Sequence, residues 1–308
     1  MAAERRAVAT VIITTRDRPE LAHRAIRSAL NQSLPNVEVI VVDDGSRQPF
    51  DASGSDVHVV RLGKPAGVCA ARNAAIDLAA GEWVTFLDDD DELTPTMLET
   101  SIRAARASQL PAPVAALSAM EFVDAKGAVL DRRAPVSSAR GRGYFLEQSE
   151  PGRSFQVHNT LVAPLLVLRE IGGWDPDIRA WEHDDLFLRL NAVCSLQGIE
   201  AVGYRKATSI SSQLSRDELR LADGMRRTEA KHRTKFRAHP QRHIHFLRTM
   251  GMYYLKAGRW GLALQSTTRA LLSGVPRAKT IGYWIASVAG PGGLWCFRRA
   301  RGLLRVHA

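Results

Sequence analysis

The sequence predicts an α/β fold, a mostly parallel β-sheet with helices on both faces, followed by a basic helical extension. Two observations indicate the sheet: short runs rich in Val and Ile end in polar residues, and segments with apolar residues at helical spacing separate them. A third indicates the extension. From residue 230 onward there are 15 Lys and Arg and no Asp or Glu, whereas the preceding residues carry 27 basic and 32 acidic side chains. We therefore expect two domains, at residues 1–215 and 216–308.

The beginning of the chain predicts one βαβ unit. Residues 8–15 and 37–44 are runs of Val and Ile that suit fully buried strands of a parallel sheet. Between them, residues 19–33 place apolar side chains at helical spacing. This segment opens with Pro19, a residue that is favoured in the first turn of a helix.

The following elements extend the same sheet. Residues 57–62 predict a third strand, residues 67–81 predict a helix that Gly81 closes, and residues 83–87 predict a fourth strand. Strands that alternate with helices imply an open sheet with helices on both faces.

Acidic side chains follow two of these strands. Asp43 and Asp44 end the second strand, and four consecutive aspartates, residues 88–91, follow the fourth. An open sheet of this kind binds ligands at the carboxyl ends of its strands. Because neighbouring carboxylates repel one another, a positive group is expected among them.

The rest of the first domain predicts shorter elements. Residues 96–109 favour a helix, and residues 114–130 favour two strands joined by a Lys-Gly turn. Residues 131–154, rich in Arg, Gly, Ser and Pro, are typical of a mobile loop. Residues 157–175 predict a strand and a short helix. A helix is expected over residues 183–194, with acidic residues at its start, where the helix dipole favours negative charge.

Basic helices are expected beyond residue 215. Residues 250–276 resemble a single tetratricopeptide-like helical hairpin, which must bury its apolar face against another part of the chain or a partner. Residues 281–297 lack charge, but are too short and too interrupted to span a bilayer. Aromatic residues beside arginines favour contact of residues 277–308 with an anionic membrane surface over nucleic acid. A helical cap packed on the first domain is the alternative.

Five segments of the chain occur in the order and approximate spacing of a known family. They are VIITTRDRPE, VIVVDDGS, GVCAARNAAIDLAAGEWVTFLDDDDELTP, LREIGGWD and EHDDLFLRL. With them the chain resembles the family 2 nucleotide-sugar glycosyltransferases of bacterial type, over residues 8 to about 205. The resemblance implies a GT-A fold, which is a Rossmann-like, mostly parallel sheet flanked by helices.

The resemblance explains the four consecutive aspartates. Carboxylates can approach the phosphates of a nucleoside diphosphate only when a divalent cation lies between them. Hard oxygen ligands suit Mg²⁺ or Mn²⁺. By similarity to the Asp-x-Asp motif of the family, Asp90 is expected to bind the metal directly, and Asp88 and Asp89 are expected near the ribose and the metal. Asp91 is expected to cap the following turn.

Four further residues correspond to donor-binding positions of the family. Asp44 resembles the carboxylate that accepts a hydrogen bond from the base, and Arg72 resembles the basic residue that lies against the nucleotide. Thr15 is followed by Arg16, where family members usually carry an aromatic residue. A guanidinium plane can stack on a base as a ring does, so the donor stays open between a UDP-sugar and a dTDP-sugar.

The catalytic base is expected in the segment WEHDDLFLRL. An acceptor hydroxyl must lose its proton as it attacks, and the family uses the Asp of a Glu-Asp pair as the base. The family spacing places Glu182 at the Glu position and His183 at the position of the base, with Asp184 and Asp185 following. Either His183 is the base, or a shift of one residue presents Asp184, which we favour.

Acceptor binding is expected near the segment GGW. Gly173 and Trp174 resemble the Gly-Gly-aromatic turn on the acceptor side of the family, where a flat ring could pack on a sugar, and packing of Trp174 in the core is the alternative. His158, Asn159 and His232 are further candidates for contact with the donor or the metal.

The resemblance implies an inverting, metal-dependent glycosyltransferase that moves a sugar from a nucleotide-sugar donor to an acceptor hydroxyl. In cell-surface glycan or glycolipid synthesis, the expected acceptor is a glycan or a lipid-linked intermediate; a small molecule, in the synthesis of a secreted product, is the alternative acceptor. The alternative is a non-catalytic nucleotide-sugar or glycan-binding module with a membrane-binding tail. Because the first residues lack the pattern of a signal peptide, a cytoplasmic location is expected, and the basic tail favours the inner face of the cell membrane.

Overall fold

A computed structural model describes residues 7–146, 153–155, 157–208, 217–274 and 278–290 of the chain. The chain divides into two compact units. The first unit comprises Met1–Asp177 and His183–Ser211, and the second comprises Ile178–Glu182 and Ser212–Ala308. The boundary expected at residue 215 lies outside the described residues.

The first unit contains a mixed β-sheet and five helices among the described residues. Its strands are β1 Ala9–Thr15, β2 Val37–Asp43, β3 His58–Arg61, β4 Trp83–Asp88, β5 Glu92–Leu93, β6 Val114–Val123, β7 Val129–Pro135, β8 Arg153–Ser154, β9 Leu161–Pro164 and β10 Ser195–Ala207. Its helices are α1 Pro19–Leu30, α2 Val68–Leu78, α3 Met97–Ala107, α4 Leu165–Glu170 and α5 Glu182–Val193.

The sheet has the strand order β3-β2-β1-β4-β9-β6-β10-β5, with β7 paired to β6. Strands β3, β2, β1 and β4 are parallel neighbours, and β6 and β10 form a second parallel pair. The short strand β9 runs antiparallel between β4 and β6. The expected α/β architecture is therefore confirmed.

The sheet is buried on both faces, as its apolar strands predict. In β1, Val11 and Ile13 pack in one apolar cluster with side chains of α1 and α3. Ile12 points the other way, into a second cluster with side chains of α2, α4 and α5. This alternation follows from the two-residue repeat of a strand, and it explains why β1 shows no polar face in the sequence.

Gly81 has a different function from the one predicted. Helix α2 ends at Leu78 with Ala79 as its C-cap residue, so Gly81 lies three residues beyond the end of the helix and does not close it. A Cβ atom at Gly81 would lie 2.6 Å from the backbone carbon of Ala9 and 2.6 Å from the backbone nitrogen of Thr10. The glycine is needed because the chain passes directly against β1 before it enters β4.

The prediction of a mobile loop over residues 131–154 is wrong for its described part. Strand β7 continues to Pro135, and a short 3₁₀ helix spans Tyr144–Leu146. The Asn191 side chain of α5 accepts hydrogen bonds from the backbone N–H groups of Gly143 and Tyr144, both at 2.9 Å. The Tyr144 ring is buried and stacks on Phe187.

The second unit is helical, as expected. Its described helices are α6 Glu218–Lys231, α7 Arg233–Ala238, α8 Pro240–Lys256, α9 Trp260–Leu272 and α10 Ala278–Val288. Helices α8 and α9 form the predicted hairpin, with Gly258 at a positive φ of 72° in the turn. The apolar face of the hairpin is covered by α6 and α10: the Tyr254 hydroxyl donates to Asp223, and the Thr267 hydroxyl donates to Ser287.

No described helix has both the length and the apolar character needed to cross a membrane. Of the segment 277–308 that was expected to contact a membrane, only residues 278–290 are described, and the remainder lies outside the described residues.

Candidate functional site

Three parallel strands end at the same edge of the sheet and carry the predicted site residues. In the register of the sheet, Thr15 of β1 lies beside Asp43 of β2, and Thr14 lies beside Asp88 of β4. The carboxyl ends of these strands therefore bring together Thr15, Asp43 and the aspartates that begin at Asp88.

Asp88 is held by an arginine and an asparagine. Arg72 Nη2 lies 2.8 Å from Asp88 Oδ1, and Asn159 Nδ2 donates to Asp88 Oδ2 at 3.0 Å. The Arg72 side chain is 3% exposed, and its guanidinium lies 4.3 Å from the ring centre of Trp174. Because Trp174 and the sheet surround it, Arg72 presents a fixed charge to Asp88.

Asp89 faces away from this pair and binds residues of β1 and the following turn. Its carboxylate accepts a hydrogen bond from the Thr15 hydroxyl at 2.8 Å and one from Arg18 Nη1 at 3.1 Å. Burial, aided by the charges of Asp90 and Asp88, nevertheless raises the pKa of Asp89 to about 6.

The Asp90 carboxylate has fewer close contacts than the other three carboxylates of the turn. Its Oδ2 atom lies 3.4 Å from Arg18 Nη1, and its backbone carbonyl accepts a hydrogen bond from Arg24. Burial and the neighbouring charge of Asp88 raise the pKa of Asp90.

We predicted that Asp91 would cap the following turn, but its carboxylate binds residues of β10 instead. Its carboxylate accepts hydrogen bonds from the Tyr204 hydroxyl at 2.8 Å, from Lys206 Nζ at 3.1 Å and from the backbone N–H of Ala207 at 2.9 Å. Asp91 thus connects the acidic turn to β10, more than a hundred residues later. Burial and the charges of Asp88 and Asp90 raise its pKa to about 6 although Lys206 opposes the shift.

Lys206 is a site residue that the sequence analysis missed. Its ammonium lies 3.8 Å from Asp88 in addition to its contact with Asp91. Burial lowers the pKa of Lys206, but the two carboxylates outweigh burial and raise it. No local motif marks this lysine, because the pairing of β10 with β6 and β5 brings it to the acidic turn.

One oxygen each from Asp88, Asp90 and Asp91 can be chosen so that all three lie within 4.8 Å of one another. Three carboxylates are the hard oxygen ligands that Mg²⁺ and Mn²⁺ prefer. Burial, together with the charges of neighbouring aspartates, raises the pKa values of Asp90 and Asp91 although Lys206 opposes the shift, so a further positive charge would favour their ionised forms. The donor set therefore fits a divalent cation, and Asp89, which faces Thr15 and Arg18, lies outside it.

The carboxylate expected to contact the nucleotide base directly follows β2 and binds the loop before α2. Asp44 accepts hydrogen bonds from the backbone N–H of Ala66 at 2.6 Å and from that of Gly67 at 3.0 Å, which orders the loop before α2. Arg16 follows β1 with its side chain 53% exposed. Both residues lie next to the strand ends that carry Thr15 and Asp43.

The four candidates for the catalytic base lie in the first turn of α5, which begins at Glu182. Glu182, His183 and Asp184 are partly exposed. The His183 ring packs against His158, with ring centres 4.1 Å apart, and its centre lies 5.0 Å from that of Trp174.

Asp185 does not suit the catalytic function that was considered for it. Its side chain is fully buried, and its Oδ2 atom accepts hydrogen bonds from Arg189 Nη2 at 2.6 Å and Arg189 Nε at 2.9 Å. The same arginine donates to the backbone carbonyls of Ile171 and Gly173. Asp185 therefore fixes the turn before α5 and cannot meet an acceptor in this conformation.

Trp174 and Gly173 have structural functions instead of the predicted acceptor contacts. Trp174 is 2% exposed, so its ring has no free face for a sugar. Gly173 has a φ of 62°, and a Cβ atom there would lie 2.4 Å from Asn73 Oδ1. Asn73 exchanges two hydrogen bonds of 2.8 Å with the backbone of Trp174, which places the ring over Arg72. His232, the remaining candidate, lies in the second unit between α6 and α7.

Comparison with known proteins relates this site to one family. Residues 10–116 match the family described as Glycosyl transferase family 2. The putative colanic acid biosynthesis glycosyl transferase WcaA of Escherichia coli (strain K12) is 41% identical over 96 residues, which are 29% of this chain and 34% of WcaA. The GalNAc(5)-diNAcBac-PP-undecaprenol beta-1,3-glucosyltransferase of Campylobacter jejuni is 34% identical over 104 residues, 31% of this chain and 34% of that protein. The match thus spans about a third of the length of these relatives.

The fold is shared with solved structures over most of the chain. Staphylococcus aureus TarS 1–349 in complex with UDP is 17% identical, with a TM-score of 0.53, and the match covers 91% of this chain and 90% of that chain. The complex of the same protein with UDP-GlcNAc gives a TM-score of 0.55 at 16% identity, over 91% of this chain and 79% of that chain. This similarity confirms the GT-A type of fold.

Proposed function

We propose that this chain transfers a sugar from a nucleotide-sugar donor to an acceptor hydroxyl, in a metal-dependent reaction that inverts the anomeric carbon, because residues 10–116 match the family described as Glycosyl transferase family 2. The single observation that carries the proposal is the group of three carboxylates at the end of β4, which fits a divalent cation at the ligand-binding edge of the sheet.

Asp90 and Asp88 would hold Mg²⁺ or Mn²⁺, with Asp91 as the third carboxylate of the group. A bound divalent cation supplies Lewis-acid charge that stabilises a diphosphate as it departs from the sugar. The protein adds its own cations at the same place: Arg18 contacts Asp89 and Asp90, and Lys206 contacts Asp88 and Asp91. These side chains would neutralise the phosphate oxygens and orient the diphosphate.

The strand ends of β1 and β2 would bind the nucleoside. Thr15, Arg16 and Asp44 lie beside the acidic turn, where the exposed guanidinium of Arg16 can stack on a base. Asp88, whose orientation Arg72 and Asn159 fix, would contact the ribose as well as the metal. The UDP and UDP-GlcNAc complexes of TarS support uridine over deoxythymidine as the base.

We assign the base to the start of α5. As the acceptor oxygen forms its bond to the anomeric carbon, the acceptor O–H proton passes to Asp184, and the bond between that carbon and the diphosphate oxygen breaks. Asp184 is partly exposed, as a base that must meet an acceptor has to be. His183 is the alternative base. Its ring contacts Trp174, and the same Trp174 ring packs on Arg72, the partner of Asp88.

The acceptor is proposed to belong to cell-surface polysaccharide or glycolipid synthesis. The printed names of the relatives support this class, because one acts in colanic acid biosynthesis and another on an undecaprenol-linked substrate. A lipid-linked acceptor would bring the chain to the inner face of the cell membrane, where the basic second unit can contact anionic lipid. A small molecule, in the synthesis of a secreted product, is the alternative acceptor.

A screen of donors tests the proposal. Unfolding temperatures of the full chain are measured with UDP-sugars and dTDP-sugars, with and without Mn²⁺, and stabilising donors are then assayed for transfer and hydrolysis. We expect a UDP-sugar to stabilise the chain only with Mn²⁺, and to turn over. Stabilisation without turnover would favour a binding module, and no stabilisation by any nucleotide sugar would refute the proposal.

A further inference from the structure

The second unit contains a cavity lined by arginines, which the proposed reaction does not use. It has a volume of about 540 Å³, within the range of small-molecule sites. Helices α6, α7 and α9 supply its charged and polar lining. These residues are Asp223, Arg226, Glu229, Arg233, Gln265 and Arg269.

A buried carboxylate fixes one of the three arginines, Arg269. Glu229 is 1% exposed, and its Oε1 atom lies 2.7 Å from Arg269 Nη2, 3.0 Å from His243 Nε2 and 4.0 Å from Arg233 Nε. Burial would raise the pKa of Glu229, but the hydrogen bonds from His243 and Arg269 outweigh burial and lower it to about 2. Glu229 is therefore an anion at any physiological pH, and it is already satisfied by donors from within the unit.

The cavity has an excess of positive charge. Its three guanidiniums face two carboxylates, and Asp223 is shared between the Tyr254 hydroxyl at 2.9 Å and Arg226 at 3.6 Å. Arg226 and Arg233 have side chains 49% and 52% exposed, so both can turn toward a ligand. No acidic residue follows Glu229 in the sequence to compensate this charge.

We propose that this cavity binds an anion that carries phosphate groups, with Arg226 and Arg233 as the direct contacts and Arg269 as the residue fixed by Glu229. Guanidinium groups bind phosphate oxygens through paired, charge-assisted hydrogen bonds, and a single exposed arginine does so far more weakly than a group that shares one cavity. The ligand is either the headgroup of an anionic lipid or a soluble diphosphate. This cavity lies in the second unit, whereas the carboxylate group lies in the first.

Calorimetric titration of the full chain with inorganic pyrophosphate, in the presence of EDTA, tests the proposal. The cavity variant is R226Q/R233Q, and the control is R227Q/R237Q, which removes the same charge from two exposed arginines outside the cavity lining. We expect the cavity variant to bind pyrophosphate at least ten-fold more weakly than the control variant. Because the first unit is identical in all three proteins, such a difference reports the cavity. Equal affinities in the two variants would overturn the proposal.

A second arm distinguishes the sources of the phosphate. Binding to phosphatidylglycerol vesicles, with phosphatidylcholine vesicles as the reference, is measured for both variants and in competition with pyrophosphate. A loss of vesicle binding in the cavity variant alone, with competition by pyrophosphate, supports a lipid headgroup, and unchanged vesicle binding with weakened pyrophosphate binding supports a soluble diphosphate. Should R226Q/R233Q not fold, as judged by its thermal unfolding, R233Q with R237Q as its control replaces the pair, under the same criteria.

Discussion

Each of the four consecutive aspartates has its own set of partners, although their positions in the sequence differ by one residue. Asp88 contacts Arg72 and Asn159, whereas Asp91 contacts Lys206 and Tyr204. Charge repulsion within the group is offset by cations that come from distant parts of the first unit. The fold can therefore hold four carboxylates close together at this turn.

The assignment of the base leads to a prediction about Asp184. We expect D184N to reduce the rate of sugar transfer by about 10²-fold to 10⁴-fold, because the acceptor hydroxyl would lose its proton acceptor. The affinity for UDP should stay unchanged, since Asp184 is not assigned to the donor. Steady-state transfer rates and UDP titrations check both statements. H183Q serves as the comparison, and a D184N protein with full activity beside an inactive H183Q would transfer the assignment to His183.

Glu229 predicts a pH dependence of stability in the second unit. Its pKa is about 2 in the folded chain, below the ordinary value of 4.5 for a glutamate. The stabilisation by ionised Glu229 is therefore complete above pH 4.5 and is lost as the pH falls from 4.5 toward 2. With about 1.4 kcal/mol per pKa unit, the effect is on the order of 3 kcal/mol. Chemical unfolding of the chain and of E229Q between pH 3 and pH 7 should show a difference that shrinks below pH 4.5, and a constant difference would contradict this account.

At the scale of elements, the connection from α2 to β4 depends on close contact with β1. We expect G81A to lower the free energy of unfolding by about 1–3 kcal/mol, because its Cβ atom would overlap the backbone of Ala9 and Thr10. The matched control is G63A, since Gly63 lies in a loop of the same unit with open space around the position of a Cβ atom. Denaturant unfolding of both variants measures the effect. A loss of stability in G63A as large as that in G81A would refute the contact as its cause.

Local sequence patterns predicted the strands and helices whose pattern is complete within one segment. Strands β1, β2 and β4 are rich in apolar residues, and α1 begins at Pro19 as its sequence indicates. The segment from residue 131 to residue 146 was misjudged because its order depends on Asn191, some 47 residues away, which no local pattern reveals.

The candidate site was predictable to a similar degree. The motif located the acidic turn, but apart from Arg72, 16 residues before Asp88, the partners of its side chains lie 71 to 116 residues away in the sequence. In α5, five of the residues that follow the first turn are buried on all sides of the helix, so no polar face distinguishes the buried Asp185 from the partly exposed Asp184. The function of Trp174 was ambiguous for a different reason: an aromatic ring after two glycines suits contact with a sugar or packing in the core equally well.

At the scale of the whole molecule, the uneven distribution of charge predicts electrostatic binding to anionic membranes. Vesicles of anionic lipid should bind the full chain at about 0.05 M NaCl, and binding should fall strongly at about 0.5 M NaCl, because salt screens the attraction of exposed arginines and lysines. Vesicle flotation at the two salt concentrations checks this, with neutral vesicles as the control. Binding that is equally strong at both concentrations would indicate an apolar instead of an electrostatic contact.

The most direct test of the whole account is the coupling between Mn²⁺ and UDP at Asp90. The affinity of the full chain for Mn²⁺ is measured by electron paramagnetic resonance with and without UDP, for the chain, for D90N and for D77N, a control on the exposed surface of α2. We expect UDP to tighten Mn²⁺ binding at least ten-fold in the chain and in D77N, and D90N to lose this coupling, because the cation must join a carboxylate of the acidic turn to the diphosphate. Unchanged coupling in D90N, or no coupling in the unaltered chain, would contradict the account.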